Sequence, residues 1–466
     1  MKKLIALLLS IAMVACLFVG CAGGETETPT TTEAPTQTAN PDVTVDMDVT
    51  EVSTDEVKEP VTLRFWQAGG DTVGASSVMR LLLDKFELMY PWITVEYQAI
   101  PWSSDPHTQF QVALAADDCA DVMVLGSPMD FQLAGEGKLM PLDDLLSAEV
   151  LADISDVLKS ECQYIGSANP DMYGKMMSVP LYGGTRVYLY NTAIFDHFGV
   201  AYPTEGMSHA DLLEMAKQLT GEMNGKQVYG YGTRATTSEQ YLHFAWNYGA
   251  KLINPDTMTP GTDSAEWKQG IEDYMAFYNA GVCPEGSGAM DATTLLNMFI
   301  NGEIAMFLSA VDYTPTIKAE WAKEESPFAP ENLAVAPLVG ETYATCYTGA
   351  DVLAVNAATV NTEATALLVN YLMSAEAQAT YCKNVGFFPG VMSASADPFF
   401  SEDSIQAGYA ASMAGCHFFG NFGVPGVGTI LKANTQALIN GEITVEQWQE
   451  NVTAEINAKI AEMQMG

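Results

Sequence analysis

The chain has 466 residues, with 58 Asp and Glu against 20 Lys and Arg, for a formal net charge of −38. That balance offers no basic stripe for phosphates, so nucleic acid is excluded as a partner; the acidity itself speaks for solubility and not for a particular function. The last roughly 400 residues exceed what a single core usually reaches, which predicts two lobes.

In chain order, the first signal is one of export. Lys2 and Lys3 precede a nearly unbroken apolar run from Leu4 to Val19, of secretory type and short for a bilayer span of about 20 residues. Gly20-Cys21-Ala22 then resembles the lipobox of bacterial lipoproteins, although Phe18 stands where that pattern has Leu and Cys16 is a competing site. The resemblance implies a signal peptide over 1–21 and a lipidated Cys21. Residues 22–59 are dominated by Thr, Glu, Pro and Asp. They hold too little apolar surface to offset the entropy of ordering them, and are expected to be a disordered tether reaching on the order of 100 Å when extended.

The remainder alternates strand-like and helix-like segments, an α/β pattern. Val61 to Trp66 has a period of two. Val78, Leu81, Leu82, Phe86 and Met89 recur at helical spacing after the cap candidates Ser76 and Ser77, and Pro91 ends that helix. Ile93 to Tyr97 predicts a second strand, His107 to Ala116 a helix, and Asp121 to Leu125 a buried strand. This βαβαβ order predicts a parallel sheet with ligand sites at the carboxyl ends of its strands. Further strands are expected at Val187 to Tyr190, after a turn at Gly183-Gly184, at Ile304 to Leu308 and at Val352 to Val355. Ser208 predicts a helix through Leu219, Asn361 or Thr362 one through Leu372, and the tail from Ser404 reads as helical, with Trp448 and Ile456 on one face.

Four stretches together resemble the family 1 extracellular solute-binding proteins, the sugar-binding group of bacterial importers. They are Lys85 to Glu96 around Tyr90-Pro91, Ala115 to Leu142 ending in Gly137-Lys138-Leu139-Met140-Pro141-Leu142, Ser178 to Asn191 with Phe195 and Gly199 beyond, and Phe299 to Met306. The resemblance implies a two-lobed, periplasmic-binding-protein-like α/β fold (type II) with discontinuous lobes joined by hinge strands. Lobe 1 would take 60–181 and 350–395, lobe 2 would take 182–349 and 396–466, and crossings would fall near Pro180 to Gly184, near Thr348 to Asp351, and around residue 395. It also implies hinge closure over a ligand and, as partners, the permease and ATPase subunits of an ABC importer. The protein is expected to work as a monomer, without a cofactor.

A sugar presents ring faces for aromatic side chains and a rim of hydroxyls for carboxylates, amides and guanidiniums. From the first lobe, the candidates are Trp66 and Gln67 at the end of the first strand, Trp102 in the loop after the second, and Ser127 after the third. Tyr182, Arg186 and Asp351 belong to the crossings. From the second lobe come Trp246, Asp312, Tyr313 and Phe418 with its neighbour Phe419. For each aromatic the competing reading is core packing. For Arg186 it is an interlobe salt bridge; an arginine that met the ligand would suit a carboxylate such as that of a uronic acid.

Rival readings are a lipid-anchored glycan hydrolase and a binder of polyamine or ferric ion on the same fold. The chain contains no HExxH, GxSxG or phosphate-binding loop, its five histidines are scattered and read as surface or cleft residues, and Asp117-Asp118 and Asp143-Asp144 read as solvated helix ends. Cys119, Cys162, Cys283, Cys346, Cys382 and Cys416 form neither a CxxC pair nor a zinc spacing, and are read mostly as small buried hydrophobes.

Overall fold

A computed structural model describes residues 45–49, 58–70, 74–127, 129–154, 156–166, 168–254, 257–413, 415–418, 424 and 426–465. The leader, Cys21 and most of the acidic tether lie outside the described residues. Among those described, no helix is long and apolar enough to cross a membrane.

Three parallel strands open the fold: β1 (Val61–Ala68), β2 (Ile93–Ile100) and β3 (Val122–Gly126), with β1 in the middle. The helix Ala75–Met89 packs its Val78, Leu82 and Phe86 face inward and stops at Tyr90, before Pro91. Its N-cap is Gly74 with no side-chain cap, so Ser76 and Ser77 lie inside the helix and do not cap it. Asp105, by contrast, caps the helix Pro106–Ala115 by accepting from the Thr108 amide.

The strand expected at Val187 to Tyr190 is the second half of a longer one, β4 (Val179–Asn191). Gly183-Gly184 is not a turn: the strand runs straight through it. A Cβ on Gly183 would lie 3.1 Å from Leu158 and one on Gly184 3.2 Å from Phe387, so the missing side chains let both residues rest on the strand. The rest of the sheet is formed by β5 (Gly221–Met223), β6 (Lys226–Gly232), β9 (Ile304–Ala310), β10 (Leu333–Val335), β11 (Cys346–Val355), β12 (Phe388–Pro389) and β13 (Cys416–Phe418). A separate hairpin joins β7 (Ile253–Asn254) to β8 (Thr259–Pro260).

The main path of the sheet is β2-β1-β3-β11-β4-β9-β6-β5. Its centre is the antiparallel pair β4 and β11, which serve both halves. β11 pairs with β3 through Asp351 to Val355 and with β13 through Cys346 to Thr348. β4 pairs with β12 at Tyr182 and Gly183, and with β9 from Arg186 to Tyr190. The two long strands therefore cross between halves at Gly183 to Arg186 and at Thr348 to Asp351.

In the second half, Ser208 and Asp211 form a reciprocal capping box on the helix His209–Gln218. The tail holds the helices Ser404–Met413, Val427–Ile439 and Val445–Met465, and Trp448 and Ile456 are both fully buried. Helix Ala265–Asn279 crosses helix Leu242–Trp246 at Gly270, where a Cβ would lie 2.4 Å from the Ala245 backbone. In an exposed helix Gly→Ala gains about 0.5–1 kcal/mol. Here overpacking wins, and Gly270→Ala is expected to lose about 2–3 kcal/mol, read as a lower urea midpoint at unchanged slope.

Candidate functional site

One cavity of about 600 Å³ lies where the crossings meet the carboxyl ends of the strands. The first half contributes Trp102, His107, Gly126 and Ser127, the crossings contribute Tyr182, Gly184, Arg186, Tyr347 and Gly349 to Asp351, and the second half contributes Arg234, Thr236, Thr237, Glu239, Gln240, Asp312 and Tyr313.

The aromatic surfaces have distinct supports. Trp102 is 39% exposed and stands edge-on to His107, ring centroids 5.7 Å apart. Two glycines make room for its indole: a Cβ on Gly69 would lie 2.6 Å from Trp102 Nε1, and one on Gly126 3.0 Å from Cη2. Gly69 also has φ +79°, a conformation that favours glycine. Tyr182 is buried in a stack, 4.2 Å from Phe387 and 5.4 Å from Tyr381 between centroids, and its hydroxyl donates to Asp351 Oδ2.

The charged groups are arranged around Glu239, on the short turn Ser238–Gln240. Arg186 donates to its Oε2 at 2.9 Å and Arg234 to its Oε1 at 3.2 Å. Arg186 also lies 5.6 Å from the centre of the Tyr347 ring. Burial disfavours the Arg186 charge, but Glu239, Asp312 and Tyr347 hold its pKa above the ordinary value. Burial alone would raise Glu239; the two guanidiniums bring it below the usual range.

Asp312 follows β9 at the N-cap position of the helix Tyr313–Trp321 without making a capping bond. The residue keeps part of its surface, but Oδ1 is shut from solvent and has no hydrogen-bond partner among the described residues. Burial pushes its carboxyl up to about 6, against the opposing pull of Arg186. Asp351 is likewise pushed up to about 6 by burial, despite the bond from Tyr182. His107 Nε2 and Gln240 Oε1 are also buried without hydrogen-bond partners among the described residues, and burial lowers the His107 pKa.

Of the residues expected from sequence, the cavity gathers Trp102, Ser127, Tyr182, Arg186, Asp312, Tyr313 and Asp351. Trp66, Gln67 and Trp246 lie apart from it. Trp66 packs on Phe110, centroids 6.1 Å apart, and under the Arg64 guanidinium. Gln67 is fully buried between Tyr97 and Tyr381, accepting from one hydroxyl and donating to the other, both at 2.7 Å. β1 continues to Ala68, so both residues sit inside the strand and not at its mouth. Trp246 is buried behind Tyr347, nearly parallel to it at 6.4 Å. Of Phe418 only the backbone is described, at the end of β13, and Phe419 lies outside the described residues. Sequence reasoning passed over His107, Arg234, Glu239, Gln240, Tyr347 and Phe387 as site residues. For Arg234 a signal existed, since it is one of only four arginines.

His209, Asp273 and Glu341 bring ligand-type atoms within 4.8 Å of one another, in the second half and outside the cavity. Their hydrogen bonds indicate a structural role. Asn247 Oδ1 accepts from the Thr345 amide, so its Nδ2 donates to Val339 O and to His209 Nε2. The ring proton then sits on Nδ1, 3.1 Å from Glu341 Oε2, where a metal would need a lone pair. Burial opposes a charge on His209, while Asp273 and Glu341 raise its pKa overall; the amide proton of Asn247 facing Nε2 works against a second ring proton. His209 and His243 are both buried, which corrects the expectation that the histidines lie at the surface or in the cleft.

Residues 69–379 match the family described as bacterial extracellular solute-binding protein. The chain belongs to that family, and its place of work is extracytoplasmic. Among solved structures it is similar to the GacH receptor of Streptomyces glaucescens, crystallised unliganded and with acarbose, at 19% identity and TM-score 0.75, covering 87% of this chain and 99% of that one. It is similar to a solute-binding protein of Thermotoga lettingae bound to α-D-tagatose, at 21% identity and TM-score 0.74, covering 86% and 99%. UgpB of Mycobacterium tuberculosis, in complex with glycerophosphocholine, has 19% identity and TM-score 0.73, covering 88% and 100%. These likenesses establish the two-lobed binding-protein fold. Among curated proteins, none matches the sequence.

Proposed function

We propose that the chain captures a neutral, hydroxyl-rich solute, a sugar or short oligosaccharide, in the cavity between its two halves and delivers it to an ABC importer. The observation that carries this reading is the makeup of the cavity lining. Trp102, Tyr182 and Tyr347 line the same cavity as the acceptor Asp312 Oδ1, which has no hydrogen-bond partner among the described residues. Hydroxyl groups are the donors such an acceptor lacks. A volume of about 600 Å³ is within the range of small-molecule sites. The related structures with acarbose and tagatose support the ligand class. Two guanidiniums in the wall work against a polyamine, and Glu239 already occupies both, which removes the reason to expect a carboxylated sugar.

Within this reading the eleven residues named from the sequence reduce to the seven at the cavity, joined by His107, Arg234, Glu239 and Tyr347. The lobes are 60–181 with 350–395 and 182–349 with 396–466. Cys21 carries the lipid, residues 22–59 are the tether, and the protein meets the permease subunits as a monomer. A thermal-shift screen across sugars, polyamines and metal ions tests it: a sugar that binds should raise the melting temperature, by an amount that grows with ligand concentration. Stabilisation by polyamine or metal alone, or turnover of a glycan, would overturn it. Trp102→Ala should weaken the sugar identified in that screen roughly tenfold, about 1.4 kcal/mol, by calorimetric titration, with the fold unchanged because the indole is partly exposed.

A further inference from the structure

Six cysteines are described, all free thiols, and five are buried. Among the described residues, Cys346 and Cys416 are the one pair of cysteines registered against each other on neighbouring strands. β11 and β13 run parallel, and Cys346 is registered directly against Cys416, followed by Tyr347 against His417 and Thr348 against Phe418. Neighbouring strands lie about 4.8 Å apart, inside the 4.4–6.8 Å between Cα atoms that a disulfide accepts. Residues paired across a parallel ladder project to the same face, so the two side chains share one side of the sheet. The Cys416 thiol meets the Thr185 hydroxyl at 2.6 Å and donates to Ser412 O at 3.2 Å, and it lies against the Cys346 backbone.

We infer that Cys346 and Cys416 are a pre-aligned dithiol that is oxidised to a disulfide, fastening the β13 segment to the crossing strand β11. The family is extracellular, and disulfides persist outside the reducing cytosol. The oxidant is a small disulfide. The Cys416 thiolate, on the more exposed of the two residues, attacks one sulfur of the oxidant and expels the first thiolate. The Cys346 thiolate then attacks the Cys416 sulfur of the mixed disulfide and expels the second. The two thiol protons pass to the two expelled thiolates, and the oxidant leaves as two reduced thiols. Burial pushes the Cys416 thiol up to about 11 and also raises the Cys346 thiol well above its ordinary value. The folded dithiol therefore reacts slowly, and the bond forms mainly while the chain folds, before both sulfurs are enclosed.

The test is to refold the full chain from denaturant in a buffer of oxidised and reduced glutathione, block remaining thiols with iodoacetamide, and map the peptides by mass spectrometry. The expected result is one linked pair containing Cys346 and Cys416. Closing a loop of this length should raise the melting temperature by on the order of 5 °C, and dithiothreitol should reverse the rise. Cys416→Ser should lose both the linked peptide and the dithiothreitol-sensitive shift, while Cys119→Ser should keep them. Alkylation of both cysteines after refolding, or linkage of either to a different cysteine, would overturn the inference. So would a melting temperature indifferent to dithiothreitol. None of these readouts involves the solute, so the outcome is independent of what the cavity binds.

Discussion

Replacing Glu239 with alanine should destabilise the protein by about 3–5 kcal/mol and abolish saturable solute binding. Glu239 is the shared partner of Arg186 and Arg234, and the three side chains are only 14%, 20% and 14% exposed. Truncating the carboxylate strands two guanidiniums at a desolvated wall, and their mutual repulsion, now unscreened, pushes β4 away from the loop after β6. Arg186 lies on a strand shared by both halves, so the damage falls where closure over a ligand must occur. Glu239→Gln keeps an acceptor without the charge and should lose less than the alanine variant. The sign of the pH effect follows from the depressed pKa of Glu239. Its contribution is present above the unfolded value of about 4.3 and is lost as pH falls through the lower folded value. Urea denaturation at pH 7 and pH 4 should therefore show the gap between wild type and Glu239→Gln narrowing with acidification. An alanine variant within 1 kcal/mol of wild type at pH 7 would mean that the bridge does not hold the wall together.

Legibility from sequence followed local periodicity. The first three strands and the helix between Gly74 and Pro91 are each encoded by neighbours in the chain, through period-two alternation, apolar residues at helical spacing and a terminating proline. The Gly183-Gly184 pair was misleading because two glycines usually signal a turn. Here they serve close approach by Leu158 and Phe387, residues far apart in sequence. The cavity was legible where its residues end strands: Trp102, Ser127, Asp312 and Tyr313 follow strands, and a strand's carboxyl end can be read from pattern. It was illegible where polar residues sit in irregular chain. Glu239 in its short turn carries no period, and its role exists only because Arg186 arrives from β4 and Arg234 from the end of β6. Trp66 and Gln67 failed for a smaller reason: β1 runs two residues beyond the apparent end of the pattern, so the mouth of the strand falls at Gly69, where the glycine admits Trp102.

Asp312→Asn separates binding from stability by moving them in opposite directions. The folded carboxyl titrates at about 6, above the ordinary 3.8, because burial outweighs the help of Arg186. A raised carboxyl contributes stability that is fully present below its unfolded pKa and is lost as pH rises through the folded one. At pH 7.5 the unliganded wild type therefore bears the cost of an ionised, partnerless oxygen. The asparagine does not, and should be more stable there by about 1–2 kcal/mol, less than the full shift because the residue keeps some contact with water. That advantage should shrink to nothing by pH 4. Binding runs the other way. An ionised acceptor contributes about 1.5–3 kcal/mol to a hydrogen bond, so the variant should bind its sugar roughly 10- to 100-fold more weakly at pH 7.5. Wild-type affinity should itself fall as pH drops through 6, and Asp351, which titrates in the same range, should leave a shallower acid limb in Asp312→Asn. Thermal denaturation of the unliganded proteins and calorimetric titration with sugar, both from pH 4 to pH 7.5, read the two trends. A variant that is less stable and equally weak at every pH would mark Asp312 as a structural cap. Opposite trends would mark it as a group kept uncomfortable in the empty protein because the ligand is what satisfies it.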